Sequence, residues 1–222
     1  MNVLVIGAGV AAVTAAHHLL EHGHAPVLMT GHAEFGFPHG GCGLWNTTLL
    51  PWPLDTREEA VGSGDETVTM RSQWLVKRLV HRYTEAGGTS TCRARVMFGP
   101  RLHLVGTGAI ELPSIDRILL ADQDVPEPTV HEGEATPLFQ PARVVRWFGG
   151  ILPPHHVEPT TMDMGGRRGD GTIECWSKDA AAFEPYREQM IEQLHVDWDE
   201  AMPPRADIVA LQTMEAVEAF LS

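Results

Sequence analysis

Cysteine is scarce in this chain of 222 residues, and no two cysteines form a Cys-x-x-Cys pair. The three thiols, Cys42, Cys92 and Cys175, are too few and odd in number, which excludes a secreted disulfide framework. A reducing compartment fits better, so we expect a cytoplasmic location. The chain also lacks a run of about 18 apolar residues, which a membrane-spanning helix needs. No signal peptide is predicted, because Gly7 to Gly9 interrupts the first apolar stretch and no basic residue precedes it.

Basic residues are also few relative to acidic ones. The sequence has 16 lysines and arginines against 29 aspartates and glutamates, so its formal net charge is −13. Such an acidic surface repels phosphate backbones, which argues against a nucleic-acid partner. The motifs of serine hydrolases, of helical zinc proteases and of P-loop enzymes are all missing. Hydrophobic residues reach 43%, which is enough for a folded core.

The start of the chain predicts a β-strand, an α-helix and a second β-strand. The aliphatic run Asn2–Ile6 is typical of a buried strand. A helix is expected from about residue 10 to residue 22, because Gly23 follows as a stop signal. Residues 25–29 form the next apolar run. This βαβ unit has the length of a dinucleotide-binding site, about 30 residues.

The turn between the first strand and the helix matches the pattern Gly-x-Gly-x-x-Ala. Gly7 allows the tight turn out of the strand, and Gly9 lets a pyrophosphate approach the backbone. Ala12 lets the helix pack closely on the strand. The N-terminus of the helix then faces the phosphates. The expected fold class is α/β, with a Rossmann-like parallel sheet that binds FAD or NAD(P).

The acid that usually binds the adenosine ribose, about 20 residues after the glycines, is missing. Thr30 stands in that place and offers a single hydroxyl, and Glu34 is the nearest acid. No arginine directly follows the strand, so the sequence supplies no obvious cation for the 2′-phosphate of NADP.

A second glycine-rich loop comes next. It contains His39, Gly40, Gly41 and Cys42 and lies in an inserted stretch, residues 31–67. The following elements are predicted from periodicity: a helix with Trp74, Leu75, Leu79, Val80 and Tyr83 on one stripe, a strand at 91–96, a hairpin of 101–105 with 109–112, and a strand at 116–121.

The second half predicts a small antiparallel sheet followed by C-terminal helices. Residues 122–142 are rich in proline and glutamate and are interpreted as a loop. Strands are expected at 144–148, 160–164 and 172–176, and helices on the stripes Phe183 to Trp198 and Val209 to Leu221. We therefore divide the chain into a dinucleotide-binding core at 1–125, a substrate segment at 126–178 and C-terminal helices at 179–222.

Three features in order carry a resemblance to a known family: the Gly-x-Gly-x-x-Ala unit, the Gly-Gly loop after the second strand, and the helix from Arg71 that leads into Gly87-Gly88 and a strand. Over residues 1 to about 121 the chain resembles, in shortened form, FAD-dependent oxidoreductases of the glutathione-reductase structural type, in the branch of geranylgeranyl reductases, lycopene cyclases and aromatic hydroxylases. The resemblance implies that Arg71 contacts the flavin cofactor and that the strand near Val96 passes the adenine. It also implies that the small sheet, near Trp147, forms the substrate floor.

Several side chains are candidates for chemistry. Histidine has an unperturbed pKa of about 6.5, so His39 is the first candidate for acid–base catalysis. Cys42 is the candidate thiol. His18 and His22 have a spacing that can bind a metal, but we interpret them as solvated surface residues and predict no metal site. His155-His156 is interpreted as a loop pair that could contact substrate.

Three functions stay open at this point. The first is an FAD-dependent oxidoreductase for a small organic substrate, in which Gly7, Gly9 and Ala12 hold the pyrophosphate, Thr30 the ribose, and Gly40, Gly41, Arg71 and Val96 the rest of the cofactor. The second is an NAD(P)-dependent oxidoreductase. The third is a flavoprotein-like fold that binds cofactor weakly or not at all and acts as a partner subunit or a non-redox catalyst. A homodimer or a complex with another flavoprotein chain is left open.

Overall fold

The computed structural model describes residues 1–37, 41–49, 67–97, 103–106, 114–121, 135–141, 143–158 and 162–222. These belong to two compact units. The first comprises residues 1–38, 76–140 and 212–222, and the second comprises residues 39–75 and 141–211. The division predicted at residues 125 and 178 stays a prediction.

The first unit contains a five-stranded, fully parallel sheet. Its strands, in spatial order, are β5 (Thr89–Thr91), β2 (Ala25–Met29), β1 (Asn2–Ile6), β8 (Arg117–Leu120) and β9 (Thr136–Pro137). The central strand β1 pairs on both edges, and its residues Val3, Leu4 and Val5 are fully buried. The predicted strands at 2–6, 25–29 and 116–121 are confirmed.

One helix follows β1 in sequence, a second precedes β5, and a third lies at the end of the sequence. They are α1 (Val10–Glu21), α2 (Ser72–Glu85) and α3 (Ala206–Leu221). Helix α1 packs alanines against the sheet, where Ala12, Ala15 and Ala16 are fully buried. The buried stripe of α2 includes Leu75, Val76, Leu79 and Tyr83. Trp74, which the periodicity predicts on that stripe, is exposed instead.

A short hairpin branches from the edge of the parallel sheet. It pairs β6 (Ala94–Met97) with β7 (His103–Gly106). The single strand predicted at 91–96 is therefore two strands, because the chain turns at Arg93, a non-glycine residue with φ of 56°. The second arm predicted at 109–112 lies outside the described residues. Most of the predicted loop at 122–142 does too, although β9 falls within it.

The second unit is built on an antiparallel sheet. Its four strands, in spatial order, are β11 (Met164–Arg167), β12 (Ile173–Ser177), β10 (Val144–Leu152) and β13 (Glu192–Asp199). A separate pair joins β3 (Leu44–Asn46) to β4 (Thr67–Thr69). A 3₁₀ helix, Ala180–Tyr186, covers the end of the sheet with Phe183. The antiparallel sheet and the α/β class are as predicted.

The helix predicted on the stripe from Phe183 to Trp198 is wrong. Only a 3₁₀ helix forms, since Pro185 lies inside it, and residues 192–199 are strand β13, paired with β10 along its length. The error has a simple cause. Met190, Leu194 and Trp198 are spaced by four, which places them on one face of a strand as well as on one face of a helix.

The strand predicted at 160–164 also needs correction. Residues 162–163 form a bend, and the strand starts at Met164 and runs through Gly165 and Gly166, which the sequence pattern assigns to a turn. Gly166 lies against Thr69 of β4, whose side chain a Cβ at this position would overlap. Glycine is therefore present for close packing rather than for turning. Among the described residues, no helix has both the length and the apolar composition to cross a membrane.

Candidate functional site

The turn from β1 into α1 contains Gly7 and Gly9, the two glycines of the Gly-x-Gly-x-x-Ala pattern. The amide of Gly7 donates to the carbonyl of Met29 over 2.9 Å, which ties the turn to the end of β2. Gly9 is the N-cap of α1, with φ −98° and ψ −171° and no side chain to cap the helix. Any residue can adopt this extended conformation, and N-caps are usually Ser, Thr, Asp or Asn. The backbone conformation therefore does not require glycine at this position.

Thr30 ends β2 at the place of the usual ribose-binding acid. Its hydroxyl accepts a hydrogen bond from the amide of His32 over 3.2 Å, and the residue is 2% exposed. Its backbone is bound to the segment before β6, since its amide donates to Thr91 and its carbonyl accepts from Ala94. The ribose role of Thr30 stays a prediction. Its hydroxyl accepts one hydrogen bond, which leaves its proton and a second lone pair for a ligand.

Arg95 lies at this same end of β2, a position that sequence patterns do not reveal. A Cβ on Gly31 would lie 3.4 Å from both Cγ and Nε of Arg95, so the side chain passes directly over the glycine. Arg95 is exposed, and none of the carboxylates in the described residues forms an ion pair with it. Glu34, the nearest acid in sequence, is paired with Lys77 at 2.9 Å. The end of β2 therefore carries an available cation rather than an acid.

The glycine-rich loop belongs to the second unit. The structure describes Gly41, Cys42 and Gly43, while His39 and Gly40 lie outside the described residues. The carbonyl of Gly43 accepts from the amide of Met70 over 3.0 Å. A Cβ on Gly43 would overlap the carbonyl oxygen of Met70, whereas a Cβ on Gly41 would meet nothing within 4 Å. Gly43 is thus required by packing, and Gly41 is not.

A buried carboxylate fastens this loop. Glu174 on β12 is fully buried, and its Oε1 accepts from the amide of Gly43 at 2.8 Å and from Nε1 of Trp176 at 2.7 Å. Its Oε2 accepts from Nε and Nη2 of Arg168, at 2.9 and 2.6 Å. Four donors around one carboxylate satisfy the charge that burial would otherwise penalise. Sequence reasoning missed this residue; the available signal was a glutamate inside the apolar strand Ile173–Ser177.

Cys42 is buried beside this carboxylate. Burial, and then the negative charge of Glu174, raise the pKa of the Cys42 thiol well above its usual value. The thiol is therefore neutral near pH 7, whereas nucleophilic and redox-active cysteines need the thiolate. This environment opposes thiolate chemistry at Cys42. The catalytic roles of Cys42 and His39 stay predictions.

Arg71 occupies the start of α2, as predicted from the sequence. Its carbonyl accepts the first helical hydrogen bonds, from the amides of Trp74 and Leu75. Its side chain is half-exposed, and Nε lies 3.9 Å from the carboxylate of Asp170 in the turn between β11 and β12. Val96 lies in β6, paired with Leu104. Their contacts with a flavin stay predictions.

Three tryptophans, Trp45, Trp52 and Trp147, are the aromatic candidates for the wall of an apolar substrate pocket. Trp147 is 4% exposed, and Nζ of Lys178 lies 5.1 Å from the centroid of its ring. Trp45 is 1% exposed and belongs to the core. Trp52 lies outside the described residues. His155 and His156 are exposed, with ring centroids 4.2 Å apart.

Comparison with known proteins gives a likeness in structure only. No protein-family model matches the chain, and no curated protein matches its sequence. Among solved structures, a geranylgeranyl bacteriochlorophyll reductase-like protein from Thermoplasma acidophilum aligns with TM-score 0.58 at 12% identity, over 99% of this chain and 79% of that one. A variant of 2-methyl-3-hydroxypyridine-5-carboxylic acid oxygenase aligns with TM-score 0.58 at 15% identity, over 99% and 82%.

The fold is that of FAD-dependent oxidoreductases. A flavoprotein/dehydrogenase from Cytophaga hutchinsonii shares it, with TM-score 0.56 at 12% identity, over 100% of this chain and 79% of that one. The resemblance that the sequence motifs indicated is therefore confirmed at the level of the fold. Identities this low carry no substrate or catalytic residue from those proteins to this chain.

Proposed function

We propose that this chain binds FAD and uses it to oxidise or reduce a small organic molecule. The observation that carries the proposal is Gly9, a helix N-cap in an extended conformation that needs no glycine, at the place where α1 begins after β1. The N-terminus of a helix binds a pyrophosphate through its amides and its positive dipole. The fold shared with FAD-dependent oxidoreductases supports FAD as the dinucleotide.

In this proposal Gly7, Gly9 and Ala12 hold the pyrophosphate. Thr30 meets the ribose through its hydroxyl, and β6 at Val96 passes the adenine. Gly40 and Gly41, together with Arg71, contact the remainder of the cofactor. When bound, FAD supplies the redox chemistry, while the protein supplies orientation and electrostatics. His39 and Cys42 remain the predicted candidates beside the substrate, and a cytoplasmic location remains the expected one.

The substitution Gly9→Asp tests the pyrophosphate site without weakening the fold. Aspartate is a better N-cap than glycine and favours the helix dipole, so the apo protein should melt at the same or a higher temperature. The new carboxylate and the pyrophosphate of FAD are both negatively charged. Two like unit charges 4 Å apart at an effective dielectric constant of 20 repel each other by about 4 kcal/mol. We therefore expect FAD affinity to fall about 100-fold or more, measured by flavin fluorescence quenching on titration.

Gly9→Asn is the matched control, since asparagine has the same size and capping ability but no charge. It should lose less affinity than Gly9→Asp. A folded wild-type protein that is colourless and binds no added FAD would contradict the proposal. It would favour a cofactor-free partner subunit, above all if a second flavoprotein chain copurifies.

Arg95 favours NADP(H) as a second candidate ligand of the first unit. A guanidinium at the end of β2, where an acid would bind a free 2′-hydroxyl, suits a 2′-phosphate. A charge-assisted hydrogen bond contributes about 1.5–3 kcal/mol, so wild type should prefer NADP to NAD by at least about tenfold. Arg95→Gln should remove this preference in fluorescence titrations, while Arg187→Gln, at another exposed arginine, should keep it. Equal binding of the two nucleotides by wild type would discard this candidate.

A further inference from the structure

Three potential metal ligands meet on the first unit, away from the glycine-rich turn. His18 and His22 lie one turn apart at the end of α1, and Glu218 lies in the last turn of α3. Oε1 of Glu218 is 2.8 Å from Nε2 of His18 and 3.1 Å from Nε2 of His22. The three ligand atoms all lie within 4.8 Å of one another.

The hydrogen bonds of His22 fix which of its nitrogens is free. Nδ1 lies 2.8 Å from the carbonyl oxygen of His18, and because a carbonyl only accepts, Nδ1 must carry a proton. In neutral His22 the lone pair is therefore on Nε2, where it faces the Glu218 carboxylate at 3.1 Å. Two acceptors at this distance need a proton or a metal ion between them. The carbonyl also orients the ring, as outer-shell carbonyls do for metal-bound histidines.

We propose that His18, His22 and Glu218 bind a divalent transition-metal ion, with zinc the best-matched one. Two imidazole nitrogens and a carboxylate form one of the ligand sets that zinc takes, with water in the fourth position. Tetrahedral zinc with bonds of about 2.0–2.1 Å separates its ligand atoms by about 3.3 Å. The distances from Oε1 of Glu218 to Nε2 of His18 and of His22, 2.8 and 3.1 Å, are close to this value, and the side chain of Glu218 is 55% exposed.

The ion would join the two ends of the first unit's sequence. Glu218 is separated from His18 by 200 residues, and the two helix ends meet only in the folded chain. Metal binding is thereby coupled to the docking of the last turn of α3 on α1, because the unfolded chain holds no such site. The site is independent of flavin binding, so the two proposals fail separately.

Zinc titration of the full-length, untagged protein tests this site, after treatment with a chelator. We expect one zinc ion per chain by isothermal titration calorimetry, and a rise in melting temperature with zinc. His22→Gln and Glu218→Gln should each weaken zinc binding at least about tenfold, since even the loss of an outer-shell partner costs about 10–100-fold. Both side chains are substantially exposed, so the variants should fold as wild type does by circular dichroism.

His81→Gln is the matched control. His81 and Glu85 form an exposed i, i+4 pair on α2, with 3.4 Å between Nδ1 and the carboxylate. Within the described residues, His18, His22 and Glu218 form the one group of three potential metal ligands, and the His81–Glu85 pair lacks a third ligand of this kind. The His81→Gln variant should therefore bind zinc like wild type. Binding by wild type no tighter than by His22→Gln, or an equal loss in His81→Gln, would overturn the proposal.

Discussion

Replacing Glu174 with alanine is expected to destabilise the protein by about 3–5 kcal/mol, the usual cost of removing one partner of a buried ion pair. Arg168, which is 4% exposed, would keep its charge but lose the carboxylate it donates to twice. The amide of Gly43 and Nε1 of Trp176 would lose their acceptor as well. Urea unfolding followed by tryptophan fluorescence measures the change.

The exposed pair of Arg146 and Asp197 provides the matched comparison. It is also bidentate, at 2.8 Å for each bond, but its side chains are 53% and 33% exposed. Asp197→Ala should therefore cost no more than about 1 kcal/mol. If Glu174→Ala costs as little as Asp197→Ala, the buried network does not stabilise the loop. Replacing both buried partners, as in Arg168→Met with Glu174→Leu, should cost less than Glu174→Ala alone, because no charge is left unpaired.

Gly43→Ala is the second substitution with a large expected effect. The added Cβ would overlap the carbonyl oxygen of Met70, a backbone atom that cannot rotate away. The strand pair β3–β4 would have to shift, and with it the bonds from Met70 to Gly43 and from Gly43 to Glu174. We expect a loss of about 2–4 kcal/mol in the free energy of unfolding, the range of strong backbone and packing defects. The same urea unfolding experiment measures it.

Gly41→Ala is the control, two residues away in the same loop. A Cβ there meets nothing within 4 Å, and the residue is not among the glycines of positive φ. The substitution should leave stability unchanged or raise it by up to about 1 kcal/mol, because alanine restricts the unfolded chain. Similar losses for the two alanine variants would show that the loop tolerates no side chain at all, contrary to the packing described.

Much of the first unit was predictable because its signals are local. Strand β1, the turn at Gly7 to Gly9 and helix α1 form a continuous segment whose apolar runs and glycines allow one interpretation. The segment Glu192–Asp199 was not predictable in the same way, since apolar residues spaced by four fit both a helix and a strand. Its eight-residue pairing with β10 decided between them. Tertiary contacts overrode a pattern that was ambiguous by itself.

The candidate sites also differ in whether they depend on local sequence or on tertiary contacts. The sequence alone determined the unit of β1, the turn at Gly7 to Gly9, α1 and β2, because it depends on neighbours within about 30 residues. Only the tertiary structure placed Arg95 over Gly31, Glu174 under Gly43, and Glu218 beside His18 and His22. Each of these contacts joins residues that are distant in the chain, and periodicity carries no information about which distant side chains meet. The proximity of these side chains is therefore a property of the folded chain.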